Sequence, residues 1–144
     1  MGVALTSCTV PAAGTPTFTL GADEMEMGVG IHGEPGRRRE KLADANTIVD
    51  ELVEAVASDL PFGKGDDVAL MINGLGGTPI SELYILYGRA HQQLAGRGVN
   101  VTRSYVGEYC TSLDMAGASL TLVKLDDELN QLFDAPAEVA VRIF

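Results

Sequence analysis

The apolar positions change period several times along this chain, and each change marks an element. Over residues 44–60 they recur at helical spacing. Ile48, Leu52, Val53 and Val56 share one face, Asp44 or Asn46 stands where an N-cap belongs, and Pro61 stops the run. A second helical stripe comprises Leu83, Leu86, Tyr87, Ala90 and Leu94. Thr78 is its candidate N-cap, Pro79 takes the first helical position, where its missing N–H costs nothing, and Gly96 or Gly98 ends it. A short third helix is predicted from about residue 126 to 133, closed by Asp134-Ala135-Pro136.

The remaining segments read as extended. Residues 3–10 open the chain and break at Pro11-Ala12-Ala13-Gly14, and residues 15–20, around Pro16, suit an edge or bent segment. Residues 25–31 alternate apolar with polar or small side chains, which fits a half-buried strand ended by the turn Gly33-Glu34-Pro35-Gly36. A continuous apolar run at 68–73 predicts a buried strand after the polar turn 64–67. Further strands are predicted at 99–106, 118–122 and 139–144, with an irregular polar loop at 109–115. Strands alternating with helices, plus adjacent strands with no helix between them, predict an α/β fold with a mixed sheet covered on one face.

Composition narrows the class. At 144 residues the sequence is one domain's worth, and 46% of it is apolar. No uninterrupted apolar run approaches the ~18 residues of a membrane span, and the first residues lack the basic flank and apolar stretch of a signal peptide. Cys8 and Cys110, far apart and outside any metal spacing, read as reduced, buried thiols. A formal charge of −10 argues against a nucleic-acid partner. The basic cluster Arg37-Arg38-Arg39, followed by Glu40-Lys41, reads as a solvated loop or helix start, or as a face for an anion or a partner subunit. The expectation is a soluble, acidic, cytoplasmic domain.

Candidate chemistry centres on Gly28-Val29-Gly30-Ile31-His32-Gly33-Glu34-Pro35-Gly36, a histidine among glycines where a small molecule can approach the backbone closely. Two more unusual blocks accompany it, residues 69–79, with Asn73-Gly74-Leu75-Gly76-Gly77-Thr78, and residues 107–117, with Glu108-Tyr109-Cys110-Thr111-Ser112-Leu113-Asp114. The first places glycines before a helix, as a phosphate cradle would, yet it has no P-loop lysine and no dinucleotide spacing, so a strand-to-helix turn, lining an interface at most, is the preferred reading. In the second, local hydrogen bonds from Thr111, Ser112 and Asp114 shape a loop, and nothing in sequence supports Cys110 as a nucleophile. His91 reads as a surface or boundary residue without metal-ligand companions, and Glu24 and Glu26 as a solvated face without a catalytic part.

In this order and spacing the three blocks, with Cys8-Thr9-Val10-Pro11, resemble the second half of the substrate-binding K subunit of dihydroxyacetone kinases. The resemblance runs from about Gly2 to Pro136, and residues 1–144 are read as that C-terminal domain; residues 138–144 depart from the usual family ending. It implies a two-layer α/β domain with a mixed sheet of about six strands and helices on one face. It also implies that His32 is the catalytic and substrate-binding residue, attacking the ketone carbon of dihydroxyacetone and holding it as a hemiaminal. A neutral imidazole, the majority form near pH 7 for an ordinary histidine of pKa ~6.5, has the free lone pair this needs. Glycerol has no carbonyl and cannot form the adduct. Gly33, Glu34 and Gly36 would shape the loop: Glu34 orients His32, holds the turn or is solvated, with a structural part preferred.

The implied parent activity is phosphorylation of dihydroxyacetone to dihydroxyacetone phosphate, a step of glycerol metabolism. ATP or ADP with Mg would sit on a separate L domain or subunit, recharged in some members through a phosphotransferase system, with no cofactor and no metal on this chain. The family's first half, which supplies its own histidine and aspartate, is not in this sequence, so the isolated chain is expected to be inactive. Implied partners are that first half, the nucleotide-binding L subunit and a second copy in a homodimer, with neither nucleic acid nor membrane. Two other readings stand beside the kinase: a non-catalytic dihydroxyacetone sensor acting as co-activator of a transcription regulator, and a structural dimerisation domain. Erythrulose and similar ketoses are alternative ligands.

Overall fold

The computed structural model describes residues 1–31 and 36–140. Its two long helices form where the periodicity places them. In α1 (Ala45–Asp59) the Asp44 carboxylate caps the N-terminus, accepting from Thr47 N at 3.1 Å and Thr47 Oγ1 at 2.8 Å. Such a cap satisfies an amide that the first turn of a helix leaves without a partner of its own. Ile48, Val49, Leu52 and Val53 are its buried stripe. Helix α2 (Ile80–Gly96) buries Leu83, Ala90 and Leu94, and Gly98 (φ +73°) takes the left-handed turn that follows. Thr78 does not cap it. Pro79 holds that position, and the Thr78 hydroxyl instead donates to Gly117 O and accepts from Gly117 N, both at 2.8 Å. Two hydrogen bonds to a neighbouring strand outcompete the single one a cap would gain. Helix α3 (Asp127–Asp134) is capped by Asp126, which accepts from Leu129 N at 2.8 Å.

Among the described residues six strands form one sheet in the order β3-β2-β1-β6-β4-β5. These are β1 (Gly2–Ala4), β2 (Glu24–Met27), β3 (Arg38–Lys41), β4 (Asp67–Gly74), β5 (Asn100–Gly107) and β6 (Gly117–Leu125). Only β4 and β5 run parallel, joined through α2; every other pairing is antiparallel. Val68, Leu70 and Ile72 of β4 and Ala118, Leu120 and Leu122 of β6 meet the stripes of α1 and α2 in the main core. The two-layer mixed sheet is therefore as expected. The short α3 reaches the opposite face, where Phe133 stacks on Tyr105 (6.4 Å between rings) beside Met71 and Val123, with the Arg103 guanidinium 5.4 Å from its ring centre. Across the solvent side of the helix pair, Asp50 takes a bidentate bond from Arg89 (2.6 and 2.7 Å) and Glu54, one turn on, pairs with Arg97 (2.6 Å). The first pair is half-buried and the second exposed, where such a pair adds little to stability; both join α1 to α2.

Several sequence expectations give way. Residues 5–20 form no strand, only an isolated bridge between Thr9 and Pro16. The strand expected over 25–31 stops at Met27, because Gly28 (φ +79°) turns the chain out of the ladder. Arg38 and Arg39 lie in edge strand β3 rather than in a loop or helix start, and Arg38 pairs with Glu51 of α1 at 2.5 Å. Residues 139–140 are not extended in a sheet, and residues 141–144 of the expected last strand lie outside the described residues. Among the described residues no helix is long and apolar enough to cross a membrane.

Candidate functional site

His32, Gly33 and Glu34 lie outside the described residues; both flanks of the segment that carries them are described. Strands β2 and β3 form a hairpin in which Met27 faces Arg38, so residues 28–37 are its connection. Backbone bonds fix its two ends, Gly28 N to Gly2 O and Arg37 N to Met27 O, each 2.7 Å. A side chain at Gly28 would meet the Arg37 stem at 2.7 Å, and the positive φ disfavours one in any case. On the leading limb, Val29 is buried and Ile31 half-buried in a second, smaller cluster with Ala4, Cys8, Leu75 and Met115. On the returning limb, Gly36 N donates to Glu26 Oε1 at 2.7 Å. A Cβ on Gly36 would come within 2.5 Å of Glu26 Cγ and of Met27 O, so only glycine fits this approach.

Glu26 overturns the solvated-face expectation. It is 7% exposed, and its second oxygen accepts from Arg39 at 3.4 Å. Glu24, the first residue of β2, is half-exposed, and its carboxylate closes the preceding turn by accepting from Gly21 N at 2.8 Å.

Ile31, the residue before His32, lines a groove of about 390 Å³. The groove's other walls come from segment 8–17 and from Thr111, Ser112 and Leu113. The third sequence block thus reaches the histidine-bearing connection. Its organiser is a residue that sequence reasoning missed. Asn73, 1% exposed at the end of β4, uses all of its hydrogen-bonding capacity on three neighbours. Nδ2 donates to Cys110 O (2.9 Å) and Ser119 Oγ (3.2 Å), and Oδ1 accepts from Tyr109 N and Cys110 N, both at 2.8 Å. The available signal was a polar side chain closing the apolar run Ala69-Leu70-Met71-Ile72. Ser112 adds a buried contact to Cys8 Sγ at 3.3 Å, and its N–H donates to Leu75 O at 2.9 Å. Leu113, 52% exposed at the groove, has φ +56°, the one such non-glycine among the described residues.

The glycine block packs directly against this loop. A Cβ on Gly76 would lie 1.8 Å from Leu113 O, and one on Gly77 2.6 Å from Asp114 O. Two amides of the would-be phosphate cradle are already engaged, Leu75 N with Gly117 O and Gly77 N with Met115 O. It is a packed strand-to-helix turn. Cys8 is buried and Cys110 is exposed, which corrects the expectation of two buried thiols. His91 is exposed on α2, its ring tilted against Tyr87 at 5.8 Å. Among the described residues no group of three His, Cys, Asp or Glu is arranged to hold a metal.

The groups with displaced acidities lie elsewhere. The Arg89 guanidinium hydrogen-bonded to Asp50 holds that carboxyl below its usual range; Thr47 does the same for Asp44, and the Lys124 ammonium for Asp66. They serve the helix pair, a cap and a turn, not the groove.

Residues 1–141 match the Dak1 domain family. The chain belongs to that family. The dihydroxyacetone-binding subunit DhaK of PTS-dependent dihydroxyacetone kinase 1 from Listeria innocua is 48% identical over 128 residues, covering 89% of this chain and 39% of the relative. Among solved structures, the dihydroxyacetone kinase operon co-activator Dha-DhaQ superposes with a TM-score of 0.82 at 36% identity, over 91% of this chain and 41% of that one. The dihydroxyacetone kinase of C. freundii, solved with AMP-PNP and Mg²⁺, gives a TM-score of 0.72 at 28% identity, over 99% of this chain and 28% of that one. This Dak1 chain therefore spans about two fifths of the length of the DhaK subunit it matches.

Proposed function

We propose that this Dak1 chain is the ketone-holding part of a dihydroxyacetone kinase, with His32 as the residue that bonds the substrate. The observation that carries the reading is the joining of two sequence blocks. The connection bearing His32 and the loop at 108–115 meet at one groove, built on a Dak1 fold close to a dihydroxyacetone-binding subunit. A neutral ring nitrogen adds to the carbonyl carbon, the carbonyl π pair moves to oxygen, and that oxygen gains a proton as the other ring nitrogen loses one. The product is a neutral hemiaminal, which a polyol without a carbonyl cannot form. Discrimination by a hydrogen-bonding or bonding contact far exceeds what shape alone gives between small polyols.

Phosphoryl transfer depends on positioning and on charge stabilisation around the nucleotide. The packed turn at 73–78 offers no cradle for it, which supports a nucleotide carried, with Mg²⁺, by a separate L domain or subunit. The same reading includes the part of the relatives that lies outside this chain, a homodimer and a cytoplasmic setting. A second reading, a dihydroxyacetone-binding co-activator, is favoured by one observation: the higher TM-score to the co-activator than to the kinase.

Intact-protein mass spectrometry after incubation with dihydroxyacetone and hydride trapping tests the bond, with His32→Ala as control and with a substrate-soaked crystal behind any negative. An adduct lost in the variant is expected. Its absence by both methods, even with a relative's first half added, overturns the assignment. Addition of an L subunit and phosphoryl donor then separates the readings: product formation supports the kinase, adduct without product the co-activator.

A further inference from the structure

We propose that the open edge of β6 over residues 121–125 docks an extended segment of the kinase polypeptide lying outside this chain. The inference rests on the function proposed above. Strand β6 pairs with β4 from Ala118, opposite Gly74, to Leu125, opposite Asp67. On its other side it meets β1 only over residues 117–119. One further bonded pair extends that ladder, Met1 N to Leu120 O at 2.7 Å and Leu120 N to Met1 O at 2.9 Å. Successive residues of a strand turn their backbone groups to opposite edges. Those of Leu120 face β1, so those of Leu122 and Lys124 face the same way. Among the described residues neither has a backbone partner there.

This stretch is not built as a guarded edge. The outer strand β3 presents Arg-Arg-Glu-Lys, the charged kind that discourages pairing. The open stretch of β6 is Thr-Leu-Val-Lys-Leu, and its one charge is turned aside. The Lys124 ammonium donates to Asp66 Oδ2 at 2.7 Å and to Pro61 O at 3.4 Å. Such an edge takes an added strand through backbone bonds, and side-chain pockets set the specificity.

Continuity with the β1–β6 ladder names the occupant. A segment in line with β1 and antiparallel to β6 would give Leu122 and Lys124 two backbone bonds each. Its residue opposite Leu122 would join the main-core face, because cross-strand partners share a face. Its residues opposite Thr121 and Val123 would join the apolar patch with Met71 and Phe133. The segment is thus about five residues long, extended and apolar on both faces. The Listeria innocua subunit, of which the match covers 39%, has chain to supply it.

Amide hydrogen exchange tests the edge. In the chain alone, Leu122 and Lys124 are expected to exchange at least tenfold faster than Thr121, Val123 and Leu125, whose amides face β4. The probe is the ten residues that precede the matched stretch in the Listeria innocua subunit, attached ahead of Met1. They are expected to slow Leu122 and Lys124 at least tenfold relative to Val123, and a Gly-Ser extension of equal length is expected to leave that ratio unchanged. Lys124→Pro removes an outward amide and no bond to β4, so it is expected to cancel the gain at Leu122. Should that variant fail to fold, a proline at the second added residue before Met1, opposite Leu122, is expected to do the same. Equal exchange at all five amides in the chain alone, or equal protection by both extensions, overturns the proposal. Protection that rises with protein concentration in the unextended chain overturns the chosen occupant and assigns the edge to a second copy. Protection by the relative's segment in a chain that forms no dihydroxyacetone adduct refutes the ketone chemistry and leaves the docking edge standing.

Discussion

Replacing Asn73 by alanine removes a side chain that makes four hydrogen bonds between 2.8 and 3.2 Å and is 1% exposed. A hydrogen bond of this kind contributes about 1 kcal/mol net, and a buried partner left without one costs about 1–3 kcal/mol. The Tyr109 and Cys110 amides sit at the edge of the loop, where water can reach them once the amide is gone. The Cys110 carbonyl and Ser119 hydroxyl face the cavity it leaves. The expected loss is therefore about 2–4 kcal/mol, a large share of the ~5–15 kcal/mol typical of a domain. Urea unfolding is expected to show a lower midpoint at unchanged slope, and amide exchange at Tyr109 and Cys110 is expected to accelerate. Asn73→Asp keeps the acceptor for both amides but sets a carboxylate oxygen, in a site 1% exposed, against the Cys110 carbonyl that Nδ2 served, so its loss is expected to be at least as large. A midpoint within about 0.5 kcal/mol of wild type for Asn73→Ala, or an Asp variant as stable as wild type, contradicts this account of the loop.

Two further outcomes follow from local geometry. Leu113→Gly removes a left-handed penalty of about 1–2 kcal/mol at an exposed residue and adds some unfolded-state entropy, so stability is expected to rise by roughly 0.5–1 kcal/mol; a lower urea midpoint contradicts the strain. Asp44, Asp50 and Asp66 all have lowered pKa values in the fold, so their contribution is complete above the ordinary carboxylate range and is lost as pH falls through the folded values. Stability between pH ~5 and ~2 is expected to fall less steeply in Asp50→Asn than in wild type. An identical slope removes the Arg89 pair as its cause.

What could be read from the sequence was whatever repeats. The stripes of α1 and α2 and the continuous apolar run of β4 are periodic because each meets the main core along its length. Strand β3 carries no such pattern: Arg-Arg-Glu-Lys on an edge has one neighbouring strand and largely exposed side chains. Charged residues there also discourage pairing with other chains. Glu26 was misread because alternation assumes one wet face, whereas β2 is covered on both near its end. Thr78 has the residue type of a cap, and only the approach of Gly117 shows that its hydroxyl is used elsewhere. At the groove, the histidine motif was visible as composition. Asn73 and Glu26 were not, since each acts on backbone far away in sequence or across a turn.

The second cluster is joined to the main core chiefly through β1, where Val3 points to the helices and Ala4 to the groove side. Two adhesive layers of unequal size share one thin sheet between them. The smaller can loosen while the larger stays intact, so the groove side is expected to open as its own cooperative unit, below the threshold of global unfolding. Such a division lets mutations retune what the groove accepts without each one being tested against the survival of the whole domain.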